Sequence, residues 1–248
     1  MPIEINLENK VALVTGGTRG IGKAIVHELI NSGAKVFATG TNSKTVEKLN
    51  KNNNNKLLTY LQLDLSENKN VKNFIKKYSI IDIDILINNA GINNISDAIE
   101  ISDEEFFKIQ QVNVSGPFLL AKGFGKKMLA KNWGRIVNIS SIWGVVTRKG
   151  RLSYSTSKIA LLGMSKTLSI EWAKKNVLVN CVSPGFTLTE LTKQTNTEEE
   201  LKLIENKIPQ NRLASPDEIA KGVLFLSSNL NSYIVGQNLI IDGGYTSI

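Results

Sequence analysis

The chain has 248 residues, 42% of them hydrophobic, and a formal net charge of +8. That length and composition suit one α/β domain with a large core, and no stretch approaches the ~20 apolar residues of a membrane span. A single histidine, His27, and a single cysteine, Cys181, exclude a His-based triad, a multi-His metal site and an internal disulfide, so no metal is expected and a cytoplasmic location is the default.

The N-terminus, Met-Pro-Ile-Glu-Ile-Asn, lacks a basic region followed by an apolar run, so no secretory signal is expected. Val11-Ala-Leu-Val-Thr15 is short, continuous and apolar, and glycine ends it, which predicts a buried parallel strand. A glycine-rich turn leads from it into a helix over 21–30. Further strands are predicted over 35–39, 57–63, 83–87, 135–139, 177–182 and 238–241. Asn52 to Asn55 reads as a polar surface turn. Ser102-Asp-Glu-Glu105 reads as a capping box that opens a long helix. Ser215-Pro-Asp-Glu218 has a cap, a proline at the first helical position and a glutamate at the third. The segment 186–214 is the longest without a strand; it carries a helix-like run over 198–205 and is expected to form a lid. Strands alternating with helices predict a Rossmann-type, doubly wound parallel sheet of about seven strands flanked by helices. No linker or repeat divides the chain, so 1–248 reads as one dinucleotide-binding catalytic domain.

In open α/β sheets, ligands sit at the carboxyl ends of strands. Gly16, Gly20 and Gly22 follow the first strand, where glycine lets the backbone approach a pyrophosphate and the helix N-terminus favours its charge. The end of the second strand reads Thr39-Gly-Thr-Asn-Ser43, with no carboxylate to accept from a ribose 2′-hydroxyl. A carboxylate there would repel a 2′-phosphate. Arg19 is placed to pair with one, so NADP (NADPH) is expected rather than NAD.

Tyr154 and Lys158 stand four residues apart, on one face of a helix. A free phenol has a pKa near ~10, and an ammonium beside it favours the phenolate. The pair suggests proton exchange with a carbonyl or alcohol, coupled to hydride transfer. Cys181 lies in an apolar strand and reads as a buried small residue, not a nucleophile. Small basic groups at Lys126-Lys127, Arg148-Lys-Gly-Arg151 and Lys174-Lys175 read as a solvated surface or as attraction for an anionic partner. No nucleic-acid module is recognisable.

These residues, in this order, resemble the short-chain dehydrogenase/reductase family along nearly the whole chain. Thr15-Gly-Gly-Thr-Arg-Gly-Ile-Gly22, with Thr18 and Ile21 inside it, is similar to the family's cofactor turn. Leu63-Asp-Leu65 resembles its adenine contact, through Asp64, and Asn88-Asn-Ala-Gly91 resembles the motif beside the cofactor, with Asn89, Ala90 and Gly91. Asn113, Ser141, Tyr154 and Lys158 match its catalytic tetrad, and Pro184-Gly-Phe-Thr-Leu-Thr189 resembles its nicotinamide-side turn, with Gly185, Thr187 and Thr189. The resemblance implies that Tyr154 donates the proton and that Lys158 lowers its pKa and holds the ribose. It implies that Ser141 bonds the substrate oxygen and that Asn113 holds a relay water. Arg19, Thr41, the segment from Ile208 to Leu213 and the tail from Gly236 to Gly244 are similar to the group that reduces 3-oxoacyl-[acyl-carrier-protein]. Lys126, Lys127, Lys131, Lys174 and Lys175 are then candidates to meet an acidic carrier protein, and a homotetramer is implied. The approach to Tyr154, Lys149-Gly-Arg-Leu-Ser-Tyr154, departs from that group. With Trp143, Arg148 and Arg151 it leaves a sugar, polyol or other small carbonyl as the alternative. A non-catalytic dinucleotide sensor is a further reading, disfavoured by the retained Tyr/Lys pair.

Overall fold

Leu13, Phe37, Leu86, Ile136 and Val179 stand side by side across five strands, one residue from each, all pointing to the same face. The computed structural model describes residues 4–247; Met1, Pro2 and Ile3, part of the stretch read for a targeting signal, lie outside the described residues. Seven parallel strands form one sheet: β1 (Val11–Val14), β2 (Lys35–Gly40), β3 (Leu58–Gln62), β4 (Ile85–Asn88), β5 (Gly134–Ile139), β6 (Val177–Pro184) and β7 (Asn238–Ile241). Their order is β3-β2-β1-β4-β5-β6-β7. Side chains alternate between faces with period two. The row above therefore packs on α3 (Asn68–Lys77) and α5 (Gly116–Ala130), through Val71, Phe74, Leu120, Phe124 and Met128. The alternate residues Ala12, Val14, Ile85, Ile87 and Val137 pack on α1 (Gly20–Asn31) and α9 (Pro216–Ser227), through Ile25, Leu29, Ile219 and Val223. Each fully buried aliphatic side chain contributes about 1.5–3 kcal/mol. Helices on both faces explain why β5 and β6 are buried along their whole length, including Arg135, Asn138, Asn180 and Ser183.

The chain order reverses between β1 and β4, which opens a crevice above their carboxyl ends. The glycine turn follows β1 and Asn88-Asn-Ala-Gly91 follows β4, so topology alone brings the two motifs together.

The predicted strands form within a few residues of their expected bounds. The long helix predicted after Ser102 differs. Ser102 caps α4 (Asp103–Gln110) as expected, accepting from the Glu105 N–H at 3.2 Å. A wide π turn, Gln111–Ser115, then separates α4 from α5. Pro117 accounts for it: in an unbroken α-helix its ring would collide with the carbonyl four residues earlier, at Asn113. Ser215 and Glu218 make the reciprocal cap that opens α9. The segment 186–214 holds α7 (Glu190–Thr195) and α8 (Glu198–Glu205), the latter opened by a Thr197–Glu200 capping box. Among the described residues, no helix is long and apolar enough to cross a membrane.

Candidate active site

The turn after β1 has a shape that only glycine permits at its key positions. Gly16 and Gly20 take φ of +64° and +53°, and a Cβ on Gly22 would lie 2.2 Å from the Gly16 carbonyl oxygen. Thr15 is the hub beneath it: its hydroxyl accepts from the N–H groups of Asn89 and Ala90, at 3.0 Å each. The Asn89 amide returns bonds to the carbonyls of Thr15 and Gly16, at 2.9 and 3.1 Å. The Gly16 N–H donates to the Thr39 hydroxyl at 3.3 Å. The two glycine-bearing motifs are thus one assembly. Neither Thr15 nor Thr39 stands out from sequence as a site residue; the only signal is a hydroxyl closing an apolar strand.

Thr18 packs against Gly40, where a Cβ would meet the Thr18 methyl at 2.8 Å. This sets Arg19, exposed at the N-cap of α1, beside the end of β2 and the exposed Thr41. The next helix, α2 (Ser43–Lys51), has no acidic residue in its first turn. Asp64, after β3, accepts from the Ser66 N–H at 2.8 Å. Ile21 packs on the core under α1. At the end of β6, Pro184 leads into Gly185, where a Cβ would meet the Asp242 Cα at 2.7 Å. Thr187 donates to the Gly185 carbonyl at 3.1 Å and Thr189 caps α7. The Thr189 methyl lies 3.5 Å from where a Cβ on Gly20 would stand, so this turn closes over the glycine turn.

The proposed tetrad converges beside this crevice. Ser141 follows β5; its hydroxyl accepts from the Trp143 N–H at 3.2 Å and acts to lower the Tyr154 pKa. Tyr154 and Lys158 share one face of α6 (Leu152–Trp172). Asn113 sits in the π turn, buried. Its amide donates to the Ile92 carbonyl and the Ser157 hydroxyl, both at 2.9 Å, and its oxygen accepts from the Ile92 N–H at 2.9 Å. Ser157 in turn donates to the Tyr154 carbonyl, and Ser140 to the Lys158 carbonyl. Asn113 therefore clamps the chain after Gly91 to the helix that carries Tyr154. Ser140, Ser157 and Ile92 complete the frame and carry no motif that marks them.

The Lys158 ammonium stands over the Tyr154 ring, 5.4 Å from its centroid, and donates to the Ile139 carbonyl at 2.8 Å. Burial raises the Tyr154 pKa; the Ser141 hydroxyl and the Arg151 charge lower it. Burial pushes Lys158 down to about 8.

The mouth is aromatic and basic. Trp143, Phe186 and Tyr245 meet edge to face, with centroids 5.3 to 6.2 Å apart. Arg148 and Arg151 lie 5.3 and 5.8 Å from the Trp143 centroid. Lys149 pairs with Asp97 at 3.2 Å. The lysines considered for a carrier protein lie elsewhere. Lys127 pairs with Asp82 and Lys131 with Asp84, ahead of β4. Lys174 and Lys175 precede β6, so the group sits at the amino edge of the sheet, one strand length from Ser141. Cys181 is buried and its thiol is pushed up to about 11 by burial, consistent with a packing role.

The family profile described as Enoyl-(Acyl carrier protein) reductase matches residues 16–246. The chain is 40% identical to the 3-oxoacyl-[acyl-carrier-protein] reductase FabG of Aquifex aeolicus, over 98% of this chain and 99% of that one. A short chain dehydrogenase/reductase family protein of known structure superimposes with a TM-score of 0.89 at 33% identity, over 98% of this chain and 100% of that one. A gluconate 5-dehydrogenase from Burkholderia cenocepacia J2315, solved in complex with NADP and tartrate, gives 0.91 at 27% identity, over 98% and 97%.

Proposed function

The chain belongs to the short-chain dehydrogenase/reductase family, and on that membership we propose that it reduces a 3-oxoacyl group on acyl carrier protein to the 3-hydroxyacyl product with NADPH. It is an oxidoreductase; the chemistry rests on one observation, the convergence of Ser141, Tyr154 and Lys158 beside the glycine turn. The 3-oxoacyl substrate is supported by relatives that match the chain from end to end.

The residues present fit a phosphorylated dinucleotide. Gly16, Gly20 and Gly22 leave a backbone cradle at the start of α1, Arg19 and Thr41 stand where a 2′-phosphate would lie, and no carboxylate follows β2. Asp64, Asn89, Ala90, Pro184, Thr187 and Thr189 line the rest. A Cβ on Gly91 would stand 3.3 Å from the Asn113 oxygen and 3.4 Å from the Lys158 ammonium, so glycine keeps that approach open for a ribose. When bound, the dinucleotide supplies the hydride. Tyr154 gives its proton to the substrate oxygen, and its phenolate is reprotonated from solvent. Ser141 donates to the same oxygen as charge builds on it. Lys158 holds position between Ile139 and Tyr154 and offers its remaining N–H groups to the cofactor ribose. Asn113 keeps the floor of the site rigid.

The segment 186–214 closes over the mouth as a lid. Its two ends are already joined, Ala214 donating to the Phe186 carbonyl and Leu188 to the Ala214 carbonyl, so it hinges at one point. Four such chains assemble in the cytoplasm, with the exposed Phe118, Ile159 and Ile170 of α5 and α6 and Leu239 and Ile240 of β7 supplying apolar contact.

Arg148 and Arg151 favour a second substrate reading, a sugar acid or another small keto acid. Initial rates with NADPH against an acetoacetyl thioester, a panel of keto acids and a neutral ketone test both. The proposal expects the highest kcat/KM for the thioester. A preference for keto acids installs the second reading, and no turnover of any carbonyl leaves a dinucleotide sensor.

A further inference from the structure

Two arginines at the mouth have no partner for their donors. Elsewhere in the chain an arginine is occupied. Arg212 pairs with both oxygens of Glu218, at 2.7 and 2.8 Å. Arg135, stacked 4.7 Å from the Trp133 centroid, donates to the carbonyls of Gly134, Asn176, Ser228 and Asn231. Arg19 stands in the glycine turn, on the cofactor side. Arg148 and Arg151 also stack on an indole, that of Trp143, at 5.3 and 5.8 Å from its centroid. Among the described residues, however, neither side chain has a hydrogen bond or an ion pair. The Arg151 Nε is buried with no partner in the protein. A stacked arginine that only braces the fold satisfies its donors, as Arg135 does; a buried donor left without a partner is costly and calls for an explanation.

The explanation has a sign. Residues 140–155 contain no acidic residue, and Asp97, the carboxylate that reaches this loop, pairs with Lys149 at 3.2 Å. Two guanidinium groups over one ring repel each other, and an anion between them relieves that repulsion and accepts from both forks. The loop that carries them is held in place. The Thr147 and Ser155 hydroxyls bond at 2.9 Å, and the Gly150 carbonyl accepts from the Ser96 N–H at 3.3 Å. An incoming anion therefore has little backbone to order. The position is also defined. The Trp143 N–H donates to the Ser141 hydroxyl, its ring meets Phe186 at the start of the lid, and Arg151 directly precedes the helix that carries Tyr154. The aromatic walls of Trp143, Phe186 and Tyr245 favour a singly charged anion, because a doubly charged phosphate gives up more hydration beside them.

We propose that Arg148 and Arg151 form a carboxylate-binding subsite at the mouth of the site. The carboxylate is that of a short keto-acid substrate, or that of a free carboxylate sharing the mouth with another substrate. Its use by a substrate rests on the reductase reading; the subsite itself does not.

The test compares the full-length parent with Arg148→Met/Arg151→Met and with Arg148→Lys/Arg151→Lys, with thermal melts to establish folding. Binding is read without turnover: intrinsic fluorescence is titrated with butyrate and with neutral butyramide, and Trp143→Phe identifies the responding ring. The parent should bind butyrate ahead of butyramide. The double methionine variant should lose about tenfold to hundredfold in butyrate affinity. The double lysine variant should recover only part of that loss, since it keeps the charge without the fork. Absence of butyrate binding in the parent, or an unchanged affinity in the folded methionine variant, overturns the proposal. Initial rates with NADPH then separate the two sources, using acetoacetate and methyl acetoacetate, which share a ketone and differ in charge. A rise in KM for acetoacetate well beyond that for the ester puts the substrate's own carboxylate in the subsite. Equal changes in KM, with butyrate binding lost and butyrate inhibiting ester reduction in the parent, assign the subsite to free carboxylates. If neither ketone is reduced, the reductase reading fails, and the butyrate titration alone decides the subsite.

Discussion

The ammonium of Lys158 donates to the carbonyl oxygen of Ile139 at 2.8 Å, tying the middle of α6 to the end of β5. The contact fixes the helix that carries Tyr154 to the strand that leads to Ser141. It also means that Lys158 serves the frame as well as the proton donor, and the expected effects of substitution follow from that double duty.

Tyr154→Phe keeps the ring and removes the proton. Turnover should fall by about 10²–10⁴-fold, the usual contribution of a general acid. NADPH affinity, followed by fluorescence titration, should stay close to that of the parent. Near-normal turnover in the folded variant would remove Tyr154 from the mechanism.

Lys158→Met should abolish turnover and change the pH dependence of stability. Burial lowers the Lys158 pKa from 10.5 to about 8 in the folded chain. Between those values the unfolded chain holds more protons than the folded one, so this residue makes stability rise with pH across that window. Below about 8 its full penalty is present, of the order of 3 kcal/mol. Denaturant unfolding of the parent should show that rise, and the methionine variant should lack it. Parallel curves for the two proteins would mean that Lys158 does not titrate in the buried state.

Arg19→Ala should weaken NADPH binding more than NADH binding. The lost interaction is a charge-assisted bond to a 2′-phosphate, about 1.5–3 kcal/mol. That corresponds to roughly a tenfold to hundredfold loss in affinity. Equal losses for the two cofactors, measured by calorimetry, would reduce Arg19 to a shaper of the turn.

Gly22→Ala places a Cβ 2.2 Å from the Gly16 carbonyl, a backbone atom that cannot swing aside. The turn must open, at a cost of about 1–3 kcal/mol of overpacking. Dinucleotide binding should be lost while the circular dichroism of the sheet persists. Retained NADPH affinity would show that the cradle tolerates a wider turn.

Much of this molecule is legible in its amino-acid sequence, for physical reasons. A buried parallel strand needs apolar side chains on both faces, so β1 announces itself as the unbroken run Val11-Ala-Leu-Val14. Gly16, Gly20 and Gly22 are legible because glycines crowded between an apolar strand and a helix mark a backbone that turns left-handed and packs closely on itself. Asn113 is legible as a polar residue in an apolar stretch that must find partners. Thr15 is not, because a β-branched residue ending a strand looks the same whether or not its hydroxyl organises a neighbouring loop. The partner of Lys158 is hidden for another reason: helical spacing fixes which face a side chain occupies, but a four-carbon stem decides where its charge ends up. Arg151 precedes α6, and its stacking on Trp143 depends on a loop whose path no periodicity encodes.

The wide turn at Gln111–Ser115 also constrains how the chain can change length. It contains one residue more than an α-helical turn, so α5 leaves it rotated by about 100° from the phase an uninterrupted helix would give. Removing one residue there would invite a continuous helix and turn Leu120, Phe124 and Met128 away from the sheet while pulling Asn113 off Ile92. Adding one would err in the opposite sense. A length change in this turn therefore damages the core and the Asn113 clamp in a single step, whereas the polar run at Asn52–Asn55 bonds to itself and to the start of β3 at the sheet edge, away from Asn113, Tyr154 and Lys158. Insertions and deletions should be borne at that run and refused at Gln111–Ser115, and a deletion scan scored for soluble protein would show it.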